Sequence, residues 1–247
     1  MVTAAPQDQW RLLDVQDHDT RLNQLAHRRR TLPEHAEADR LSRRIRDVAD
    51  ELITRRSGAG DVARELNKAE ADVELVRQRA ARDHAKLDSG SGSAKDLQAL
   101  QHEIVSLAQR QSALEDVELE VMERMEAAEA ATARVQSERT RLEAELAEVA
   151  VRRNSALETI ADEESAVQRA RADAAAGLPA ELMALYEKIR EQSGGVGAAR
   201  IKGRRCEGCR MELNPTDMAR IRGAEQDAVL RCEDCRRILV RTPDSGL

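Results

Sequence analysis

Asp88-Ser-Gly-Ser-Gly-Ser93 separates two long runs of helix-forming sequence, and the path of the chain through these six residues decides the fold. Alternating glycine and serine suits turns and opposes helix. Ser93, followed three residues later by Asp96, forms a variant capping box that opens a new helix. The chain therefore reverses here. Before the turn, Leu41, Ile45, Val48 and Leu52, then Ala59, Val62, Leu66, Ala69, Val73, Val76, Ala80 and Leu87, recur in alternating steps of four and three, with Arg55 and Asp83 as interruptions. After it the same stepping runs from Leu97 through Leu100, Ile104, Leu107, Leu114, Val121, Leu142, Val149 and Ile160 to Ala170, with polar breaks such as Gln111 and Arg139. A 3.5-residue repeat sustained in this way specifies a left-handed coiled coil. The expected fold is mostly α: a long antiparallel coiled-coil hairpin ending in a small C-terminal β module. A parallel dimer of single long helices is the alternative that the Gly-rich turn opposes.

Residues 8–88 match 94–176 in length, so the segment around Leu12, Val15, Leu22 and Leu25 is expected to pair with the far end of the second helix. Pro33 predicts a kink or break at residues 31–35. At about 1.5 Å per residue the second helix would run on the order of 120 Å. Gly177-Leu-Pro179 ends it, and Glu181 to Gln192 places Leu182, Leu185, Tyr186 and Ile189 on one face of a short helix, with Tyr186 as a packing residue. The predicted boundaries are 1–176 for the hairpin (turn at 88–93), 177–199 for the short helix and Gly-rich connector, 200–241 for the ribbon and 242–247 for a tail.

The composition agrees with narrow helical seams. Charged residues make up 35% of 247, aromatics 1%, and phenylalanine is absent, so Trp10 and Tyr186 are the only large aromatic side chains available to a core. No stretch has the roughly 18 uncharged apolar residues of a membrane span, and Met1 to Arg11 lacks a signal core. The expected location is cytoplasmic, with no membrane contact and no small-molecule substrate.

All four cysteines fall in two close pairs, Cys206-Glu-Gly-Cys209 and Cys232-Glu-Asp-Cys235, separated by twenty-two residues. In a reducing compartment this pattern reads as metal before disulfide, and two such knuckles converge four thiolates on one tetrahedral zinc ion. The short runs Ala199–Arg205, Ala228–Arg231 and Ile238–Arg241 predict a three-stranded ribbon around them. A four-sulfur shell has no open position, so the zinc is structural.

Leu178-Pro-Ala-Glu-Leu-Met-Ala-Leu-Tyr-Glu-Lys-Ile-Arg190, the Gly-rich step after it, the paired CxxC motifs, Arg237-Ile-Leu-Val240 and the tip Ser93-Ala-Lys-Asp-Leu-Gln-Ala-Leu-Gln-His-Glu-Ile104 resemble a bacterial family of coiled-coil proteins with a C-terminal C4-type zinc ribbon. The resemblance covers nearly the whole chain and is nearest to actinobacterial members. Relatives in flagellated bacteria are linked to flagellar gene expression through an alternative sigma factor and messenger RNA, and chlamydial relatives to type III secretion components; neither role is carried over here. The resemblance implies an adaptor or nucleic-acid-binding role.

Charge separates the functional expectations. Residues 200–241 hold eleven Arg and Lys against seven Asp and Glu, a balance of +4 in a chain of net charge −6. Arg200, Lys202, Arg204, Arg205 and Arg210 surround the first knuckle, and Arg231, Arg236, Arg237 and Arg241 the second, as a candidate phosphate-binding surface for RNA or DNA. No aromatic residue lies in 200–241 to stack a base, so such binding is expected to be electrostatic. The alternative is a protein–protein interaction scaffold or chaperone-like adaptor that uses the ribbon and the hairpin tip, where Lys95, Gln98, Gln101 and His102 are candidate contacts. An enzyme is not expected. His18, His27, His35, His84 and His102 lie in the coil without a neighbouring nucleophile or metal-ligand spacing, and no glycine pattern forms a phosphate-cradling loop.

Overall fold

The computed structural model describes residues 2–246; Met1 and Leu247, the outer ends of the predicted hairpin and tail, lie outside the described residues. In chain order the elements are α1 (Pro6–Arg30), α2 (Pro33–Asp88), α3 (Ala94–Ala175), α4 (Ala180–Gln192), β1 (Ala198–Lys202), β2 (Arg205–Cys206), α5 (Pro215–Gly223), β3 (Leu230–Arg231) and β4 (Ile238–Val240), followed by a 3-10 turn at Pro243–Ser245. The chain divides into two compact units, residues 36–150 and residues 1–35 with 151–247.

In the first of these units α2 and α3 form the coiled-coil hairpin. Arg44 meets Glu138 at 2.7 Å, Glu65 meets Arg124 at 2.8 Å, Arg77 meets Glu115 at 2.6 Å and Arg79 meets Glu103 at 2.6 Å. Partner numbers fall along α3 as residue numbers rise along α2, which makes the pair antiparallel. Exposed pairs of this kind each contribute about 0–1 kcal/mol, so stability comes from the seam and register from the charges. Leu41, Val48, Leu142 and Val149 form one buried segment of that seam. Asp83 is buried in it and answered by Arg79 at 4.0 Å and Lys86 at 3.9 Å, whereas Arg55 turns outward to Glu51.

Reversal occurs where the turn chemistry requires it. Gly90 and Gly92 have φ of 63° and 144°, values that a side chain opposes. The Ser93 amide then donates to the Asp96 carboxylate at 3.0 Å, and the Asp96 amide donates to Ser93 Oγ at 3.3 Å. This reciprocal pair starts α3.

The other unit combines both ends of the chain. Its sheet has the order β2-β1-β4-β3, with β1 parallel to β4 and the other neighbours antiparallel. Alternate residues face opposite ways along each strand, and both faces are covered. Ala198, Ile238 and Val240 pack on Leu12 and Val15 of α1 and on Leu182, Tyr186 and Ile189 of α4. Ala199, Ile201, Leu230 and Leu239 pack with the cysteines and with Met218 and Ile221 of α5. The N-terminal segment extends the sheet region: Thr3 bridges Ala228, and the Ala4 amide donates to the Asp227 carbonyl at 2.8 Å. Leu25, Leu32 and Ile160 make a separate small cluster where α1 ends and Pro33 starts α2.

Three expectations are corrected here. The ribbon has four strands, because the predicted run Ala199–Arg205 turns at Gly203 into β1 and β2. Leu12 and Val15 lie against the end of α3 at Ala174 and Ala175 as expected but also serve the ribbon's core, so α1 and β1 draw residues outside 200–241 into one body with it. Within the predicted tail, residues 242–245 pack on the ribbon, because Ser245 is buried and its hydroxyl donates to the Ile201 carbonyl at 3.0 Å.

A polar network holds α1, α3 and α4 together. Buried Asp19 accepts from Arg171 at 2.7 and 3.0 Å and from the Tyr186 hydroxyl at 2.6 Å, while Arg171 also contacts Glu187. Gln16 accepts from the Gly197 amide at 2.7 Å, and a Cβ at Gly197 would lie 2.8 Å from the Tyr186 carbonyl oxygen. The Gly-rich connector is therefore clamped between α1 and α4.

Two outcomes test this account. The side-chain and backbone hydrogen bonds from Ser93 hold the Asp96 carboxyl below the ordinary carboxylate range. An NMR titration should place its midpoint under the usual value of about 3.9, and Ser93→Ala should raise it. The stabilisation at the tip is then complete above that usual value and is lost as pH falls through the lowered midpoint. Separately, Tyr186→Phe leaves a lone pair of buried Asp19 unanswered and should lower unfolding free energy by about 1–3 kcal/mol in chemical denaturation; an unchanged midpoint would count against the network.

Candidate metal centre

The two knuckles are built alike. In each, the first cysteine's carbonyl accepts from the amide four residues on (Arg210 to Cys206 at 2.7 Å, Arg236 to Cys232 at 3.0 Å). Its own amide donates to the carbonyl five residues on (Met211 at 3.1 Å, Arg237 at 3.0 Å). Arg210 and Arg236 occupy equivalent left-handed positions, with φ of 63° and 62°. Two loops with the same hydrogen-bond pattern thus present two sulfurs each.

The four Sγ atoms lie within 4.8 Å of one another, with Cys206 and Cys235 3.9 Å apart and Cys209 and Cys232 4.0 Å apart. A tetrahedral zinc with Zn–S of about 2.3 Å needs sulfurs roughly 3.8 Å apart, whereas a disulfide needs about 2.05 Å. The donor set therefore fits one zinc ion, which Cys206, Cys209, Cys232 and Cys235 hold as a structural site. Burial pushes the Cys206 thiol up and the Cys232 thiol up to about 11. At Cys235 burial acts the same way but is outweighed by hydrogen bonds from the Arg237 backbone and side chain, so its pKa falls. A divalent cation deprotonates coordinating thiols outright, so the metal supplies the charge that the buried sulfurs need.

The long spacer between the knuckles has a structural cause. Asn214 caps α5 by accepting from the Asp217 amide at 2.8 Å, Pro215 occupies its first position, and Met218 and Ile221 bury against the zinc side of the sheet. Asn214-Pro-Thr-Asp217 is a helix-start signature, so this element was detectable in the sequence.

The nine basic residues expected on the surface divide into distinct roles. Arg237 donates to the carbonyls of Val196, Gly208 and Ser193 at 3.0, 3.3 and 2.9 Å, joining the connector to the first knuckle. Arg241 donates to five carbonyls from Ile221 to Ala228, among them Glu225 at 2.6 Å and Ala224 at 2.9 Å, and so closes the loop after α5. Both guanidinium groups are used inside the fold. Arg231 donates to the Arg236 carbonyl at 2.9 Å, Arg236 pairs with Glu233 at 3.3 Å and Arg200 with Asp17 at 2.9 Å. Arg204 has a loose pair with Glu212 at 3.7 Å. Lys202, Arg205 and Arg210 are exposed, and no side-chain partner is recorded for them among the described residues. The structure thus gathers Lys202, Arg204, Arg205 and Arg210 around the β1–β2 hairpin and first knuckle. In the other unit, Lys95, Gln98, Gln101 and His102 are exposed on the opening turns of α3. Among the described residues no helix is long and apolar enough to cross a membrane.

Removal of one ligand tests the centre. Cys232→Ser should lower bound zinc from one equivalent per chain and abolish the dispersed amide resonances of 198–246, while coil helicity persists by circular dichroism. Zinc contributes on the order of 10 kcal/mol in small modules, which exceeds what this small core supplies alone. Full zinc content with an intact ribbon spectrum would contradict the assignment.

Residues 15–194 match the model of the CT398-like coiled coil hairpin domain, and residues 205–239 match that of the C4-type zinc ribbon domain. Neither match indicates an enzyme family. The Mycobacterium tuberculosis protein Rv2229c is 36% identical over 230 residues, 93% of this chain and 94% of that protein. A solved structure from Mycobacterium smegmatis is 33% identical, with a TM-score of 0.85 over 98% of this chain and 100% of that one. CT398 from Chlamydia trachomatis, 16% identical, shares the fold at a TM-score of 0.65 over 96% of this chain and 98% of that one. The hairpin, the four-thiolate ribbon and these matches together establish that the chain belongs to the CT398-like family of coiled-coil hairpin proteins with a C4-type zinc ribbon.

Proposed function

We propose that this protein is a non-catalytic zinc-binding adaptor whose ribbon grips the phosphate backbone of nucleic acid through the β1–β2 hairpin. One observation carries the reading. After the fold has taken Arg237 and Arg241 for its own carbonyls, the weakly held cations Lys202, Arg204, Arg205 and Arg210 remain together on one hairpin and its adjoining knuckle. Lys202, Arg205 and Arg210, and Arg204 once it leaves its loose pair with Glu212, can each neutralise a phosphate and release counterions, which is the main sequence-independent source of affinity. The closed zinc shell supports a structural role for the metal, since catalytic zinc keeps an open position.

The test is binding of a labelled oligonucleotide by the zinc-loaded full chain across a salt series. Replacing Lys202, Arg204, Arg205 and Arg210 together by Gln should abolish binding at moderate salt and flatten the dependence of log K on log salt by about 0.7 per lost contact on a single strand. Arg237 and Arg241 are left intact so that the ribbon still folds. Absence of binding by the wild-type chain at low salt would overturn the reading.

A further inference from the structure

The sequence lacks any aromatic residue within 200–241, yet the fold brings one to the ribbon. Trp10, the only tryptophan, lies on α1 with 43% of its surface exposed, and its indole N–H donates to the Arg241 carbonyl at 2.7 Å. That carbonyl belongs to the residue whose guanidinium holds the loop after α5, so the ring is tethered to a braced part of the ribbon. Trp10 lines a cleft of about 730 Å³ together with Pro6, Gln7, Arg222, Gln226 and Pro243. Arg222 is exposed there and no ion pair or hydrogen bond is recorded for its side chain among the described residues.

The cleft adjoins the cationic hairpin. Pro243 forms one wall, and in the same 3-10 turn the Asp244 carbonyl accepts from the Gly203 amide at 3.4 Å. Gly203 sits between Lys202 and Arg204. A single turn of chain therefore separates an open aromatic ring with a free cation beside it from the cations of the hairpin.

We infer that the Trp10 cleft is a base-stacking subsite for single-stranded nucleic acid, with Arg222 on the adjacent phosphate; the inference rests on the proposed backbone grip of the β1–β2 hairpin. A stacked base requires an accessible ring, and Trp10 is 43% exposed and lines the cleft, with cation charge nearby, which Arg222 provides. A proline-rich peptide would instead call on an indole N–H to donate to its backbone, and that donor is committed to Arg241. Amide side chains of Gln7 and Gln226 at the rim suit the polar edge of a base.

Because Trp10 is the sole tryptophan, its emission reports on the cleft directly. The zinc-loaded full chain is titrated with a uridine dodecamer, and tryptophan emission and the polarisation of the labelled strand are followed in parallel. The expected result is quenching that saturates with binding, a roughly tenfold loss of affinity in Trp10→Leu, affinity within about threefold of wild type in Trp10→Phe, and a salt dependence flattened by about 0.7 in Arg222→Gln. Trp10→Phe loses the hydrogen bond but keeps the ring, so it separates stacking from a structural defect, and zinc content and melting temperature are compared for every variant. If the strand binds while emission is unmoved and Trp10→Leu binds as well as wild type, the stacking subsite is overturned and the hairpin reading stands. If the wild-type chain does not bind the strand at all, both fall. Equal quenching at equal concentration by uridine monophosphate, or displacement of the strand by a proline-rich peptide, would overturn the assignment of a strand to this cleft.

Discussion

Attraction of four thiolates to one divalent ion is the constraint on which the terminal unit depends. Burial raises Cys206 and Cys232, so these two sulfurs are not ionised cheaply where they sit, and four thiolates cannot be left together as a cluster of like charges. With zinc bound, the two knuckles become fixed points from which β1, β2 and β4 extend, and Ile201, Leu213, Met218 and Ile221 have a surface to pack against. The opposite face of the same sheet then presents Ala198, Ile238 and Val240 to α1 and α4. Without the metal, this side of the sheet is a handful of aliphatic residues with too little buried area to hold two- and three-residue strands.

Tyr186 and Asp19 show why a second, ionic device accompanies the metal. Burial first, and then the hydrogen bond to Asp19, push the Tyr186 phenol far up, so it stays a donor. The hydrogen bond to Asp19 raises the Arg171 guanidinium against the opposing effect of burial. Apolar side chains of similar size stabilise such a position about as well. What the polar set adds is direction: Asp19 receives Tyr186 and Arg171 only at one register of α1 against α3 and α4. Aliphatic seams rich in alanine and leucine are tolerant of sliding, so that selectivity matters more here than in a core built from aromatics.

Much of this was legible in the sequence, for identifiable reasons. Heptad spacing, the Gly-Ser turn with Ser93 and Asp96, the break at Pro33 and the four cysteines are local signals, and local signals survive into the fold. The four zinc ligands needed only their spacing. Other features depend on partners far away in the chain. Nothing near Arg237 or Arg241 says that their guanidinium groups will be consumed by carbonyls, so they looked the same as Lys202 or Arg205. Leu12 and Val15 continue the coil's stepping, yet they pack on a sheet that starts at Ala198. The helix α5 is readable from Asn214 and Pro215, a local start signal inside the spacer that a simple ribbon does not need.

These long-range partnerships change the functional argument more than the fold. The ribbon's formal balance of +4 falls by two once four thiolates share one zinc, and two of its remaining cations, Arg237 and Arg241, point into carbonyl cages. Net charge therefore does not recommend nucleic acid. Placement supports the proposal: Lys202, Arg204, Arg205 and Arg210, with little or nothing to hold them, lie on the β1–β2 hairpin and its knuckle, and one turn of chain away Arg222 and the exposed indole of Trp10 line a cleft beside a ribbon that has no aromatic of its own. Electrostatics alone would give a surface that is weak and readily screened, since exposed charges lose most of their attraction beyond about 8–10 Å at ordinary salt. A ring adds short-range affinity that salt does not remove. On the proposed reading the binding surface would be a property of the ribbon and α1 joined as one body, since it is the sheet that brings residue 10 to residues 222 and 241.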